Sequence, residues 1–279
     1  MTKILTLCAD DFGQNAAISR AILELADAGR ISAASCMVNG ADWSQSAPIL
    51  AAAQCDIDAG LHLNFTDYAP LGAMPRLAPG GTLPGLNRLM MIALSGRLDA
   101  AEIRAECRRQ FDEFCRAMGK LPSHIDGHQH VHVFPVIRNA VIELAAAHGC
   151  YVRHCATQFS MIAKRAASPI KALAVNAMGM GFGDALQGAA ISHNREFFGI
   201  HDFRPEKRSA HSLYEQWLRE AGEGTLINCH PGAWPIAGDP LTGWREHEYD
   251  FLRGDGFAAL LRDGGWRIGK FQEITVNGA

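Results

Sequence analysis

Absences bound this 279-residue chain before anything present in it does. No CxxC pair occurs among its eight cysteines, Cys8, Cys36, Cys55, Cys107, Cys115, Cys150, Cys155 and Cys229, and a chain of this length can bury enough core to stand without disulfide staples. Thiols scattered in this way read as reduced and mostly buried. No long basic run accompanies the 26 Lys and Arg set against 29 Asp and Glu, which argues against a nucleic-acid partner held by many phosphate contacts. Nowhere do 18 apolar residues run together, and the opening MTKILTLCADDFG meets two carboxylates before a signal-peptide core can form. Neither a membrane span nor a secretory leader is expected, and the chain reads as soluble and cytoplasmic. A GxGxxG after the first strand and a Walker loop are also missing, which disfavours dinucleotide binding and phosphate chemistry. With no repeat, low-complexity stretch or linker, residues 1–279 read as a single domain.

What is present is a strand and helix rhythm. Nearly half the residues, 48%, are hydrophobic, and they fall into short apolar runs between helical patterns. Residues 4–8 read as a buried first strand with Asp10 and Asp11 at its end. Asn15 then caps a helix in which Ile18, Ile22 and Leu25 recur at helical spacing until Gly29. Residues 31–38 and 57–65 supply two more strands, with an alanine-rich helix over 41–53 between them. A strong amphipathic helix over 100–118 carries Ile103, Cys107, Phe111 and Phe114 on one side, a core stripe rather than a cofactor box. Beyond it follow a helix over 136–147, a strand over 150–155, a helix over 209–221, a strand over 224–229, a last helix over 255–262 and a closing strand over 266–274. Alternation at this spacing predicts an α/β fold. Two excursions, 66–97 and 159–200, break the rhythm and are candidates for loops that close over a ligand.

The stretch SHIDGHQHVHVFP, residues 123–135, concentrates the chemistry. Side chains alternate faces in an extended strand, so His124, Asp126, His128, His130 and His132 are expected on one face, toward an interior that can hold a metal. Gly127 permits a bulge, so not all five need share one centre. Other strand ends carry reactive groups too: Asp10 with Asp11, His62, and His230. In a parallel α/β barrel the loops after successive strands meet on one face, which would bring these distant positions together. One carboxylate and two neutral imidazoles make a divalent site with positions left for water and substrate. A neighbouring carboxylate can take a proton and an imidazolium can give one to a leaving group, so hydrolysis follows from the parts. Asp10 and Asp11 sit at a bend where one can bind metal while its neighbour works as base.

The motifs ADDFG at 9–13, GLHLN at 60–64, HIDGHQHVHVFP at 124–135 and CHPG at 229–232 resemble those of the YdjC-like carbohydrate deacetylases, which include chitooligosaccharide and hopanoid-associated deacetylases. SAASCMVNG near the second strand and the terminal GGWRIGKF extend the resemblance over essentially the whole chain. It implies a distorted TIM-like (β/α) barrel of about seven mostly parallel strands, one divalent metal ion, Mg2+ or Zn2+, and a homodimer. It further implies removal of the N-acetyl group from an acetylated amino sugar or short oligosaccharide. By motif position, Asp11, His62 and His128 are implied as metal ligands and Asp10 as general base. His230 is implied as general acid or oxyanion support, and His124, Asp126, His130 and His132 as supporting or substrate-side residues. Gln129 stands where the family often has another histidine, a position that faces away in a regular strand. Rival readings are a metal-dependent sugar isomerase or phosphate-ester hydrolase, and a non-catalytic carbohydrate-binding metal protein. The spare acid and base groups argue against the last of these.

Overall fold

Ten residues, KILTLCADDF, form the strand on which the sheet is centred, β1 (Lys3–Phe12), in the computed structural model, which describes residues 2–155 and 177–274. All but its first two residues are buried, with strands paired on both edges and packing on both faces, the setting that gives a parallel strand its mostly apolar sequence. Seven parallel strands run in the order β5 (Tyr151–Val152), β4 (His124–Gly127), β3 (Asp58–Leu63), β2 (Ala33–Cys36), β1, β7 (Thr225–Cys229) and β6 (Glu196–Phe198), while β8 (Trp266–Ile268) pairs with the start of β1. The sheet curls into a half-barrel, and an isolated bridge joins Val152 to His193 just ahead of β6. Register places the chemistry: His62 lies opposite Asp126 between β3 and β4, and Ala9 opposite Cys229 between β1 and β7, which brings Asp10 beside His230.

The helices are α1 (Ala16–Asp27), α2 (Trp43–Ala52), α3 (Leu86–Leu94), α4 (Ala100–Met118), α5 (Ile137–His148), α6 (Phe182–Gly188), α7 (Ala210–Glu220), α8 (Trp244–Arg253), α9 (Asp255–Gly264) and α10 (Phe271–Ile274). The expected cap of α1 is present, with Asn15 Oδ1 accepting from the Ala17 amide at 2.9 Å. Helix α4 is delimited by Asp99, which accepts from two first-turn amides, and by Gly119 at φ 65°, and its expected stripe is buried. Two of its glutamates, the buried Glu106 and the half-buried Glu102, fasten the 66–97 excursion. Glu106 takes the Leu71 amide at 2.8 Å, and Glu102 takes those of Arg76 and Leu77 at 2.8 and 3.2 Å. All eight cysteines are free and six are buried. Among the described residues no helix is long and apolar enough to cross a membrane.

Four local expectations need correction. The histidine strand stops at Gly127, and residues His128–Val133 form a 3-10 turn with Gln129 and His130 left-handed, so the period of two fails after Asp126. The closing strand over 266–274 is only β8 followed by the short α10, and the strand over 150–155 is only β5. Helix α8 stands where no element was expected. Of the 159–200 excursion, residues 159–176 lie outside the described residues.

Candidate active site

Asp11 reaches the centre through a backbone irregularity. Neighbours in a regular strand face opposite sides, but Asp11 has φ 71° and the pairing of β1 with β2 shifts register between Ala9 and Phe12. The left-handed residue, a conformation aspartate tolerates better than most, lets both carboxylates enter one centre. Asp11 Oδ1 accepts from His128 Nδ1 at 2.8 Å and lies 3.4 Å from His62 Nε2. Its Oδ2 accepts from Arg245 at 2.9 Å. Ligand atoms of Asp11, His62 and His128 all lie within 4.8 Å of one another. Burial pushes the Asp11 carboxyl up, but His128 and Arg245 overcome this and hold it well below the usual carboxylate range.

His62 is oriented from behind. Its Nδ1 donates to Asp126 Oδ1 at 2.6 Å, which leaves Nε2 facing Asp11, the carboxylate-to-histidine arrangement that fixes ligand tautomers in metal sites. Burial pulls the His62 ring down, yet Asp126, Asp11 and Asp10 together push it up to about 10. The donor set of one carboxylate oxygen and two imidazole nitrogens fits a borderline divalent cation and leaves positions free for other ligands. A cation there would displace the His62 proton.

Beside this set, Asp10 is gripped by Arg153. The guanidinium donates to both Asp10 oxygens at 2.7 and 2.6 Å and lies 2.6 Å from Asp126 Oδ2. Asn228 donates a further bond to Asp10 Oδ2 at 3.0 Å. Burial raises the Asp10 carboxyl, but Arg153 outweighs it and keeps the group below the ordinary range, hence ionised. His230 Nε2 lies 3.8 Å from Asp10 Oδ2, and Phe203 stands edge-on to its ring with centroids 5.1 Å apart. Burial lowers His230 to about 4 despite Asp10 and Asp11, so the ring is neutral.

The rest of the motif divides. His124 is fully buried, 2.9 Å from Ser35 Oγ and stacked on Phe271 at 4.3 Å, and Ser35 donates onward to Asp126 Oδ2 at 2.6 Å. His132 donates to the Arg153 carbonyl at 3.0 Å, with its Nδ1 buried and unpartnered. His130 packs edge-on to Phe197 with centroids 5.5 Å apart. Thus Asp10, Asp11, His62, Asp126, His128 and His230 converge, while His124 packs against Ser35 and Phe271, and His130 and His132 share Cys155. Sequence reasoning missed Arg153 and Arg245. A lone arginine within the apolar CYVRHC stretch was a usable signal, since an unpaired buried arginine is rare; Arg245, in a charged helical segment, had none.

A family model described as YdjC-like protein matches residues 4–263. A chitooligosaccharide deacetylase of Serratia marcescens is 30% identical over 98% of this chain and 100% of its own length. A carbohydrate deacetylase of Homo sapiens is 33% identical over 52% of this chain and 46% of its own. Among solved structures, one described as a cellobiose-phosphate cleavage protein of Enterococcus faecalis V583 superposes with a TM-score of 0.74 at 18% identity, over 99% of this chain and 100% of that one, a likeness of fold.

Proposed function

The chain belongs to the YdjC-like protein family, and from that premise we propose that it is a metal-dependent hydrolase that removes the N-acetyl group from an acetylated amino sugar or short oligosaccharide. Relatives named as chitooligosaccharide and carbohydrate deacetylases support the reaction class. The observation that carries the mechanism is the meeting of Asp11, His62 and His128 with an ionised Asp10 and a neutral His230 beside them. We assign Asp11, His62 and His128 as ligands of one divalent ion, Zn2+ or Mg2+. Bound there, the ion would polarise the acetamide carbonyl and acidify a water.

The remaining steps fall to the chain. Asp10 takes the proton as water oxygen adds to the carbonyl carbon; Arg153 and Asn228 hold it in place for this. When the carbon–nitrogen bond breaks, the amine needs a proton, and His230 delivers it. His230 is neutral in the free protein, so that proton arrives during the reaction, and Asp10 Oδ2 at 3.8 Å from Nε2 is positioned to supply it. A carboxylic acid beside Arg153 gives up its proton readily, and a developing oxyanion strengthens the ring's hold on it. Acetic acid and the amine leave, and the hydroxyl proton that stayed on the acid passes to the amine or to solvent, so that acetate and an ammonium group close the proton count.

Incubating metal-loaded protein with a panel of N-acetylated sugars, and watching acetate and free amine by mass spectrometry, tests the reading. Asp10→Asn is expected to keep its metal and lose turnover by about 100-fold or more. Wild-type turnover in this variant would remove Asp10 from the mechanism.

A further inference from the structure

We propose that helix α8 is the positioning element of the centre, with Arg245 setting the geometry of Asp11 and Glu248 that of His230. The proposal rests on the ligand and acid roles given above, and part of its test is read without turnover. Arg245 and Glu248 are three residues apart, so they share a helix face, and each is 1% exposed. Buried charges are costly unless paired, and well-packed apolar residues would often stabilise a fold as well or better. What sets these two apart is the identity of their partners.

Arg245 is clamped between carboxylates. Its Nε pairs with Asp239 and its Nη2 with Asp11 Oδ2, while the same Nη2 lies 3.2 Å from Gln14 Oε1. A planar fork held at both ends fixes the rotation of the Asp11 carboxylate, and the point charge of a lysine could not span both partners. With Oδ2 engaged, Oδ1 is left facing His62 and His128. Asp11 is thereby presented as a single-oxygen ligand.

Glu248 is an acceptor for three donors. Its Oε2 takes the His230 amide at 2.7 Å and Trp244 Nε1 at 3.1 Å, and its Oε1 takes the Tyr214 hydroxyl at 3.0 Å. The His230 amide is the point where β7 ends, so this bond fixes where the imidazole leaves the strand. Arg245 secures the same turn, its carbonyl accepting from the Gly232 amide at 3.1 Å. A Cβ at Gly232 would come within 3.0 Å of Arg245 Cβ, so the turn lies directly on the helix.

Titration with Zn2+ against a competing chelator, read by calorimetry, tests the first half. Arg245→Met is expected to weaken Zn2+ binding by about 10–100-fold, Arg245→Lys to fail to restore it, and Asp239→Asn, which leaves Arg245 in place, to weaken it by a smaller factor. Glu248→Ala should bind Zn2+ like the wild type but lose at least about tenfold in kcat with little change in KM. Glu248→Gln should recover most of that loss, because its oxygen can accept from both N–H groups while its amide donates to the Tyr214 oxygen. Should the wild type release no acetate from any sugar, the His230 ring resonances replace kcat: they move in Glu248→Ala and return in Glu248→Gln. Wild-type Zn2+ affinity in both Arg245→Met and Asp239→Asn overturns the proposal. So does a Glu248→Ala protein that loses Zn2+ affinity in step with thermal stability, which would make α8 only a structural helix.

Discussion

The two halves of the histidine motif, strand His124–Gly127 and turn His128–Val133, open on histidines in opposite settings. In the strand His124 is dry, stacked and lowered to about 4 by burial, and its neighbour Asp126 is tied to His62 and Arg153. In the turn His128 keeps 14% of its side chain exposed and bonds to Asp11. The break lies at Gly127, where a Cβ would come within 3.0 Å of the His132 amide; the turn folds back over a residue that must be small. Period-two spacing assigns one face to all five polar residues. The backbone past Gly127 instead divides them, with His128 turned to Asp11 and His132 back into the buried interior.

The sharpest way to break this contrast is to remove one histidine from each half. His128→Ala is expected to lose metal affinity by more than the roughly 10–100-fold that loss of a supporting partner costs, with the fold intact by circular dichroism. His124→Ala should do the reverse, keeping the affinity while unfolding earlier in urea by about 2–4 kcal/mol, because it leaves a cavity and removes the hydrogen bonds to Ser35 and Ser123. Equal metal loss in both would merge the halves. Asp126→Asn probes the bond behind His62: the ring loses its anionic partner, and affinity should drop by about 10–100-fold, measured by the same titration.

Acid cuts across the halves instead, because His124 of the strand and His132 of the turn are both buried. Burial lowers both His124 and His132 to about 4 from the ordinary 6.5. The unfolded chain therefore takes up their protons first: stability is complete above 6.5 and falls as pH drops from 6.5 toward 4, by up to about 1.4 kcal/mol per pH unit for each ring. His62, raised to about 10, contributes in the opposite window, its share lost between 6.5 and 10. Urea midpoints measured across pH 7 to 4.5 should show a shallower slope in His124→Gln than in the wild type, and an unchanged slope would mean that His124 is not buried neutral. The smallest effect is at the turn itself. Gln129 is exposed and left-handed at φ 52°, so Gln129→Gly should stabilise the protein by about 0.5–1 kcal/mol, seen as a higher urea midpoint.

Much of the layout was legible because it is local. Strand-and-helix alternation, the Asn15 cap and the stripe of α4 depend on periodicity and end chemistry within a few residues, which a single chain displays. The meeting of Asp10 and Asp11 with His62, His128 and His230 followed from reactive residues at strand ends, since parallel α/β architecture collects those ends on one side. The period-two reading of 124–132 failed because two left-handed residues, Gln129 and His130, carry no residue-type signature that marks them. Nothing local announced that Arg245, 234 positions from Asp11, would grip it, or that Arg153 would join Asp10 to Asp126.

By itself the sequence determined which groups were on hand for chemistry and roughly which strand ends would bear them, because residue type and short-range spacing are properties of the linear chain. Only the tertiary structure decided that Asp11 meets His62, His128 and Arg245 while Asp10 meets Arg153, which imidazoles are neutral, and which helix packs behind the centre. Those outcomes rest on sheet register, one left-handed backbone residue and the burial of charges whose partners lie far away in the chain, and each depends on distances that exist only once the strands are side by side.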